Sequence, residues 1–391
     1  MKLQTLAVHA GDRKKPGEYI PVTTPIYSAS SFFYDRIEDL DEVFGGDKQG
    51  HSYARFGNPT ISAVEEQLAA LEGAPVSIAT SSGMAAVHLA LLTALTDRRR
   101  SIVAADVLYG ATIQVLMDVL APTEVDVSFC DVCDLERLDA VVESARPAAV
   151  YVETISNPLM RVPALDKVAE IAHRHGALLI VDSTFTTPLL MRPMTLGADL
   201  VVHSATKYLA GHGDTLGGFL LTGEEHRDVA QTLHHTLGYN QGAFGAYFTM
   251  RGVKTLPLRV RRQCENAAKV VEWLDGHSRV ENLNFPGLKA HPDHETATRL
   301  LPDGLFGAML SFDVKGGKGA AFELVDRLKM IVPATSLGDV HSMVLHPATT
   351  SHRQMAPKRR ERLGIGDGLL RLSIGIEAVD DIIGDLEQAL R

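Results

Sequence analysis

Between residues 75 and 222 the chain alternates short apolar runs, rich in β-branched residues, with longer stretches that carry apolar residues at helical spacing. A strand that is buried on both faces is a continuous apolar run, and such strands alternate with crossover helices in parallel sheets. The alternation therefore predicts an α/β domain whose seven-stranded, mostly parallel sheet is covered by helices. The predicted strands are residues 75–80, 101–106, 125–131, 148–154, 177–183, 199–204 and 217–223.

The segments on either side of this region have different patterns. Residues 1–60 include PVTTPIYSASSF, which is rich in Pro, Thr and Ser and has no sustained period, so we expect an extended N-terminal arm that contacts a neighbouring subunit. Residues 61–250 are assigned to the large domain that contains this sheet. Residues 251–391 are predicted to form a linking helix at about 254–274 and a smaller α+β domain, with strands in MLSFDVKG and RLSIGIE and a last helix at 379–390.

Composition and charge exclude several classes of function. The 391 residues are 45% hydrophobic and 22% charged, which is typical of a globular protein. The net charge of -10 provides no general basic field for a nucleic acid, and no stretch is long and apolar enough for a membrane span, so neither partner is expected. The N-terminal residues lack a signal-peptide pattern, and 3 cysteines are too few for a disulfide framework. We therefore expect a cytoplasmic protein.

Lys207 follows an apolar predicted strand in HSATKYLAGHGD, residues 203–214, where a side chain is poorly solvated. Desolvation lowers the pKa of a lysine, and a neutral amine is suited to forming a Schiff base. The alternative is a solvated lysine in a surface loop, which is the common situation for this residue type. The position makes Lys207 a candidate catalytic amine.

Asp182 ends LLIVD, the strongest predicted strand, and the carboxyl edge of a parallel sheet faces the ligand crevice. A carboxylate there can keep a pyridinium nitrogen protonated, so that the ring accepts electrons. Together with a Schiff-base lysine, such an aspartate is typical of pyridoxal phosphate (PLP) chemistry. Capping of the segment that follows is an alternative role for Asp182.

A phosphate site is predicted in TSSGMAAVHLALL, residues 80–92, which combines a strand end, a Ser-Ser-Gly turn and an apolar helix. Helix N-termini bind anions through their free amides and their dipole. Ser82, Gly83 and Met84 are therefore candidate phosphate ligands, and Gly83 allows the backbone to approach closely. A serine at this position is also a common helix cap.

Two further residues stand out by their surroundings. Tyr109, in VLYGAT, follows a predicted strand end, where the ring can stack on a planar cofactor or the hydroxyl can donate a proton; the alternative is a partly buried aromatic. Arg371 lies in the apolar strand LLRLSIGIE, where an unpaired guanidinium is costly. We expect Arg371 to bind an anion, for example a substrate carboxylate held by two hydrogen bonds.

These motifs occur in order along nearly the whole chain: YARFGNPT (53–60), SSGMAA (81–86), ETISNP (153–158), VDSTFTTP (181–188), HSATKYLAGHGD (203–214), and SLGD (336–339) with RLSIGIE. Together they resemble the Cys/Met metabolism (trans-sulfuration) family of fold-type I PLP enzymes. That family includes cystathionine γ-synthase, cystathionine γ-lyase, methionine γ-lyase and the acylhomoserine sulfhydrylases. The resemblance implies the α/β fold of the aspartate aminotransferase-like PLP-dependent transferases.

The resemblance also implies roles for individual residues. It implies that Lys207 forms the Schiff base with PLP, that Asp182 pairs with the pyridine nitrogen and that Tyr109 stacks on the ring. The implied phosphate ligands are Gly83, Met84, Ser204 and Thr206, joined by Tyr53 and Arg55 of the adjacent subunit. The other implied residues are Glu153 and Thr184 near the ring and Asn157, Ser336 and Arg371 around the substrate carboxylate. The family pattern further implies a homotetramer of paired dimers with shared sites, and no metal is expected.

The reaction implied by the resemblance begins when an amino acid displaces Lys207 from the cofactor and the freed amine removes the Cα proton. Loss of a Cβ proton then lets the γ-substituent leave, with Tyr109 as its acid. We expect γ-elimination on methionine or cystathionine, which gives a 2-oxo acid, ammonia and a thiol. The alternative is γ-replacement, as in cystathionine γ-synthase or an O-acylhomoserine sulfhydrylase. His341 replaces the Glu of cystathionine-specific members and Ala111 the Cys of methionine γ-lyases, so the resemblance to each subfamily is partial.

Functions of other classes fit the sequence less well. A nicotinamide-dependent oxidoreductase is suggested by the glycines at 211–218, but GHGDTLGG lacks the G-x-G-x-x-G spacing and precedes a strand instead of opening a helix. The CDVC run at 130–133 lacks the second cysteine pair of a closed zinc site, so packing cysteines are expected. A non-catalytic protein of this fold would lack Lys207, Tyr109 or Arg371, and all are present.

Overall fold

Two sheets organise the chain, which a computed structural model describes at residues 1–14, 18–96, 99–353 and 355–391. The strands of the larger sheet are β1 (Val76–Thr80), β2 (Ser101–Ala105), β3 (Asp126–Cys130), β4 (Ala149–Glu153), β5 (Leu178–Asp182), β6 (Leu200–Ser204) and β7 (Gly218–Thr222). Those of the smaller sheet are β8 (Val280–Asn284), β9 (Met309–Val314), β10 (Val332–Pro333), β11 (Met343–Leu345) and β12 (Leu369–Ser373).

The larger sheet has seven strands in the order β1-β7-β6-β5-β4-β2-β3. The run from β6 through β5, β4 and β2 to β3 is parallel, whereas β7 pairs antiparallel with both β1 and β6. The predicted seven-stranded, mostly parallel sheet is therefore confirmed, and each strand end lies within one residue of its predicted position. Every residue of β2, β4 and β7 is buried, which is the reason these strands are apolar throughout.

Helices cover this sheet and connect its strands. They are α1 (Leu3–His9), α2 (Ile37–Gly45), α3 (Pro59–Glu72), α4 (Gly83–Leu95), α5 (Gly110–Gln114), α6 (Leu135–Ala145), α7 (Leu165–Arg174), α8 (Thr187–Leu190), α9 (Arg227–Leu237), α10 (Ala243–Val253), α11 (Leu256–Leu274), α12 (His294–Leu300), α13 (Gly317–Arg327), α14 (Pro357–Arg362) and α15 (Val379–Leu390). Short π-helical turns lie at Val115–Leu120 and Ala205–Leu209, and 3-10 turns at Ala121–Thr123, Pro193–Leu196, Glu224–His226, Pro302–Gly304 and Pro347–Thr349.

Local capping chemistry determines where two of the helices begin. The Asn58 side chain accepts a hydrogen bond from the Thr60 amide, and Pro59 occupies the first turn of α3, where a missing N–H costs nothing. The Asp134 side chain accepts from the Arg137 amide and begins α6. Helix α3 packs on β1, and α6 packs on β2 and β3, so these caps fix the starts of two helices that cover the larger sheet.

The smaller sheet has five strands in the order β10-β11-β12-β9-β8. A second apolar cluster fills the space between this sheet and helices α11, α13 and α15. The predicted linking helix begins at Leu256, two residues late, because α10 ends at Val253 and Thr255 caps the next helix. The strand predicted in RLSIGIE is shifted towards the N-terminus, since β12 spans Leu369–Ser373 and the chain leaves the sheet after Ser373.

The first sixty residues contain α1 and α2 with irregular chain between them. The Pro/Thr/Ser-rich stretch at 21–32 has no helix, and its one pairing is an isolated bridge between Ser31 and Tyr53. Several large apolar side chains of this segment are exposed, including Val22 at 84% and Phe33 at 88%. Among the helices of the described residues, none is long and apolar enough to cross a membrane.

Candidate active site

A cavity of about 510 Å³ opens at the carboxyl ends of β4, β5 and β6 and is closed on its other side by loops of the smaller domain. The predicted site residues that line it are Ser82, Gly83, Met84, Tyr109, Glu153, Asn157, Asp182, Thr184, Ser204, Thr206, Lys207 and Arg371. Ser336 reaches the same place through a hydrogen bond with Lys207. Ser336, Tyr53 and Arg55 are the predicted residues that are not part of the cavity lining, and of these Tyr53 and Arg55 lie away from it.

Lys207 projects from the turn that follows β6, and its Nζ donates a hydrogen bond to Ser336 Oγ at 3.0 Å. Its backbone leaves helical geometry, with φ -91° and ψ -130°. Burial, and then the nearby Arg371 charge, lowers the pKa of Lys207 to about 8. A substantial fraction of this amine is therefore neutral near neutral pH, as a nucleophile or base requires.

Asp182 ends β5, and its Oδ1 accepts a hydrogen bond from the Thr184 amide at 2.9 Å. Burial raises the pKa of Asp182, while the Thr184 hydrogen bonds and the nearby His203 act in the opposite direction. His203 is itself buried and lies 3.1 Å from a Glu72 carboxylate oxygen. A carboxyl group in this position is stabilised as an anion by a cationic partner such as a pyridinium.

The turn between β1 and α4 has the geometry of an anion cradle. Ser82 caps α4, because its Oγ accepts a hydrogen bond from the Ala85 amide at 3.1 Å. The amides of Gly83 and Met84 lie in the first turn of the helix, where they have no intrahelical acceptor. A Cβ added to Gly83 would lie 2.7 Å from the Cβ of Ser204, so only glycine allows this close approach. The arrangement suits a phosphate group.

Two hydroxyl groups complete the opposite side of this cradle. Thr184 Oγ1 accepts a hydrogen bond from the Ser204 amide at 2.9 Å. Thr206 Oγ1 accepts from the Gly217 amide at 3.1 Å and holds the turn that carries Lys207 against the start of β7. The side chains next to Lys207 are therefore fixed by backbone contacts before any ligand binds.

Arg371, on β12, is 3% exposed and has no carboxylate within 4.0 Å in the described residues. Its Nη1 donates to Asn157 Oδ1 at 2.9 Å and its Nη2 donates to the Ser336 carbonyl at 3.1 Å. Its buried Nε has no hydrogen-bond partner. Burial lowers the pKa of Arg371 to about 10, so the buried cation is destabilised until an anion joins it.

Glu153 ends β4 and is 7% exposed. Its Oε1 accepts from the Tyr109 amide at 2.7 Å, and its Oε2 accepts from the Asn157 amide at 3.1 Å. Burial, and then the charge of Asp182, raises the pKa of Glu153. Because both oxygens bind backbone amides, Glu153 fixes the positions of two loops that carry predicted site residues.

Tyr109 lies on one of these loops, with 42% of the residue exposed, and its ring borders the cavity. A Cβ at the adjacent Gly110 would lie 2.1 Å from the Ser351 carbonyl oxygen, so this loop packs tightly on a loop of the smaller domain. Thr335, Thr350 and Ser351 also line the cavity, although they were not predicted as site residues from the sequence. All three lie on irregular loops, which have no periodic sequence pattern. The polar run TTSH, residues 349–352, was a signal in the sequence for Thr350 and Ser351.

Tyr53 and Arg55 lie on the surface beside α9. The Arg55 Nη1 donates to the His235 carbonyl at 2.5 Å, and the guanidinium carbon lies 4.6 Å from the centre of the Phe56 ring. Tyr53 is 43% exposed. Neither side chain contributes to the cavity of its own chain, and their role in an adjacent subunit stays a prediction.

The structure gives little support to a dinucleotide site at residues 211–218 or to a reactive cysteine pair in the CDVC run. The glycines at 211–218 lead into β7 and not into a helix, unlike those of a dinucleotide site. Burial raises the pKa of Cys130 to about 11 and that of Cys133 to about 12, so the CDVC thiols are protonated at neutral pH. By contrast, the amine, the buried carboxyl group and the anion cradle of one cavity match the aldehyde, the ring nitrogen and the phosphate of PLP.

Comparison with known proteins agrees with this chemistry. The chain is 41% identical to an L-methionine gamma-lyase of Fusobacterium nucleatum subsp. polymorphum, over 99% of this chain and 98% of the relative. It is 40% identical to a cystathionine gamma-synthase of Mycobacterium bovis, over 99% and 96%. A solved O-acetylhomoserine (thiol)-lyase of Campylobacter jejuni subsp. jejuni, with a pyridoxyl-lysine, superposes with a TM-score of 0.94 over 100% of both chains at 27% identity.

The match to the family is equally extensive. The family described as Cys/Met metabolism PLP-dependent enzyme matches residues 4–391. This confirms the resemblance drawn from the motifs and the fold-type I architecture, and with them PLP as the cofactor. The chain belongs to the Cys/Met metabolism family of PLP-dependent enzymes.

Proposed function

We propose that this enzyme is a carbon–sulfur lyase that performs γ-elimination on a sulfur amino acid, methionine or cystathionine, and with one water molecule releases a 2-oxo acid, ammonia and a thiol. The observation that carries the proposal is the buried guanidinium of Arg371, which has no acidic partner and borders the same cavity as the Lys207 amine. A substrate that brings a carboxylate to Arg371 places its α-carbon towards Lys207. The similarity to an L-methionine gamma-lyase supports elimination.

Substrate orientation depends on three residues. Arg371 can form two parallel hydrogen bonds with the α-carboxylate, using the Nε that is otherwise unpartnered. Asn157 and Ser336 already hold this guanidinium through Asn157 Oδ1 and the Ser336 carbonyl. The guanidinium is thus positioned before substrate arrives, which lowers the entropic cost of binding.

Proton transfer is assigned to Lys207, Tyr109 and Asp182. Bound PLP supplies an electron-accepting ring that makes the protons of an attached amino acid acidic. The Lys207 amine, with its pKa lowered by burial, takes a proton from the α-carbon, passes it to a neighbouring carbon and then takes a second proton, from the β-carbon, which lets the γ-sulfur leave. The Asp182 carboxylate would stabilise the protonated, positively charged ring nitrogen of PLP. The Tyr109 hydroxyl donates a proton to the departing sulfur.

A second candidate is γ-replacement, in which a thiol adds after the γ-substituent leaves. The specific support is that the cystathionine gamma-synthase relative is within one percentage point of the lyase in identity, 40% against 41%. His341, which replaces the glutamate of cystathionine-specific relatives, bonds Asp339 at 2.8 Å and lies outside the cavity lining. This geometry favours neither reaction over the other.

A product assay tests both candidates. The PLP-loaded enzyme is supplied separately with methionine, cystathionine, cysteine and O-acylhomoserines, with and without a thiol, and 2-oxo acid, ammonia and thioether are measured. We expect 2-oxo acid from methionine or cystathionine without added thiol, and its loss in Lys207→Ala but not in the exposed-site control Lys289→Ala. Thioether that forms only with a thiol would instead assign replacement. Turnover of none of these compounds would refute the proposal.

We further propose a homo-oligomer, a tetramer of paired dimers with shared sites, in which residues 1–60 form the arm that contacts the neighbour. Residues 61–250 form the large domain and 251–391 the linking helix and smaller domain in this proposal. The support for this proposal is the exposed apolar surface of the arm, which includes Val22, Phe33 and Tyr19. Monomeric proteins rarely expose an extended apolar surface of this kind.

Complementation tests the shared site, and light scattering gives the mass. Arg55→Ala and Lys207→Ala chains should each be inactive alone. Co-expressed, they should regain activity, since one site of a mixed dimer would contain an intact Lys207 and an intact Arg55 from opposite chains. A monomeric mass, or no recovery in mixed oligomers, would contradict the proposal.

We also propose that the enzyme acts in the cytoplasm. Cys130, Cys133 and Cys264 are free thiols, as is usual in a reducing compartment. Fractionation of cells that produce the protein tests this, and recovery in a secreted fraction would overturn it.

A further inference from the structure

A second cavity of about 390 Å³ lies on the other side of Glu153, at the carboxyl ends of β2, β3 and β4. Its volume is within the ~300–1,000 Å³ range of small-molecule pockets. Glu153 is the residue that both cavity linings share. The charged side chains around the second cavity are otherwise Asp106, Asp131, Arg137, Arg161, Arg359 and Arg362.

The four arginines differ in whether they have acidic partners. Arg161 is paired, since its Nε lies 2.6 Å from an Asp293 oxygen and its Nη1 lies 3.7 Å from an Asp131 oxygen. Within the described residues, Arg137, Arg359 and Arg362 have no carboxylate within 4.0 Å. Three guanidinium groups from two different elements, α6 and α14, therefore face one cavity without an ion-pair partner.

Aromatic packing helps to hold one of these groups. The Arg359 guanidinium carbon lies 4.9 Å from the centre of the Phe129 ring, on β3. When a guanidinium stacks on an aromatic ring, its N–H groups point outward in the plane of the guanidinium. They remain free to bind anionic oxygens. The packing thus positions Arg359 without using its hydrogen-bond donors.

The acidic groups of the cavity do not balance these cations. Asp131 is shared with Arg161. Burial, and then the charge of Asp131, raises the pKa of Asp106. Both oxygens of Glu153 accept hydrogen bonds from backbone amides on the active-site side. The cavity lining contains four arginines and three acidic side chains, which is a formal excess of one positive charge, although the whole chain carries -10.

We propose that this second cavity binds a small organic polyanion, with two or more carboxylate or phosphate groups, at a site separate from the active site. The ligand's anionic oxygens bind Arg137, Arg359 and Arg362. Guanidinium groups bind carboxylates and phosphates with the same paired hydrogen bonds, so the shared chemistry is the anionic oxygen pair. The proposal does not depend on which sulfur amino acid the active site uses.

Calorimetric titration of the PLP-loaded enzyme with pyrophosphate, and separately with citrate, tests the proposal. We expect saturable binding of at least one probe at one equivalent per chain, and the tighter probe identifies phosphate or carboxylate as the preferred group. Affinity should weaken on going from low to physiological salt, because the cavity is open to solvent. Failure of both probes to bind saturably would overturn the proposal.

Variants locate the bound anion. Arg137→Gln with Arg362→Gln should raise the dissociation constant at least tenfold, whereas Arg262→Gln with Arg279→Gln removes the same charge from exposed positions elsewhere and should leave it within twofold. Arg137 and Arg362 are both exposed, so the unfolding temperature should not change. Equal weakening in both pairs would overturn the proposal, and so would loss of binding in Arg371→Met, which would place the anion in the active site.

Discussion

Replacement of Arg371 by Met should separate the activity of this enzyme from its stability. Arg371 and Arg259 form a matched pair of buried arginines, 3% and 4% exposed, and burial lowers the pKa of each to about 10. Arg259 donates four hydrogen bonds, to Thr255 Oγ1 and to the carbonyls of Tyr208, Leu209 and Gly252. Arg371 donates two and leaves Nε unpartnered.

The expected magnitudes follow from these contacts. Removal of a buried cation without an acidic partner relieves its desolvation, which offsets two hydrogen bonds of ~1 kcal/mol each, so Arg371→Met should change the free energy of unfolding by less than about 1 kcal/mol. Arg259→Met breaks two more hydrogen bonds and should be about 2 kcal/mol less stable than Arg371→Met. Two charge-assisted bonds to a substrate carboxylate, at ~2 kcal/mol each, predict a ~1,000-fold lower kcat/KM for Arg371→Met.

Urea unfolding of the PLP-loaded variants and 2-oxo acid formation from methionine and cystathionine give the two quantities. We expect a large loss of kcat/KM and little loss of stability for Arg371→Met, with a greater loss of stability for Arg259→Met. If Arg371→Met is as unstable as Arg259→Met while its kcat/KM is unchanged, Arg371 is a structural residue and the carboxylate site lies elsewhere.

Three other changes test the cofactor site. Because the pKa of Lys207 is lowered to about 8, the rate at which apoenzyme recombines with PLP should rise about tenfold from pH 7 to pH 9 and then level off; a continuous rise above pH 9 in stopped-flow absorbance would contradict this. Gly83→Ala brings a Cβ within 2.7 Å of Ser204 Cβ and should weaken PLP binding roughly tenfold to a hundredfold in equilibrium titration. Gly384→Ala, whose Cβ meets nothing within 4 Å, should leave binding unchanged. Asp182→Asn removes the buried carboxyl group that we propose pairs with the ring nitrogen and should lower kcat roughly 100-fold, with a changed cofactor absorbance; unchanged turnover would argue that Asp182 only caps the turn at Thr184.

The strands of the large sheet were predictable because a strand covered on both faces must be apolar along its whole length. Every residue of β4 is buried, for example, and its apolar run stands out from the polar turns around it. The shorter strands of the second sheet were harder to predict. Strand β8 has exposed residues such as Glu281, and β11 is only three residues long, so neither has a distinct pattern.

The same contrast holds for the candidate site. Lys207 and Gly83 follow buried strands and Asp182 ends one, so their positions at one edge of the sheet could be inferred from order along the chain. The contact of Lys207 with Ser336 spans 129 positions and joins the turn after β6 to the loop after β10. No periodicity in the sequence encodes such a contact, because irregular loops carry its partners.

The amino-acid sequence by itself determined the strands of the larger sheet, the family and the candidate residues for holding PLP, since burial and local capping leave repeating signals along the chain. Only the tertiary structure decided that Arg371 has no acidic partner and that Arg137, Arg359 and Arg362 face a second cavity. Charge balance at a site depends on which groups lie within a few ångströms in space, and the packing of two domains sets those distances.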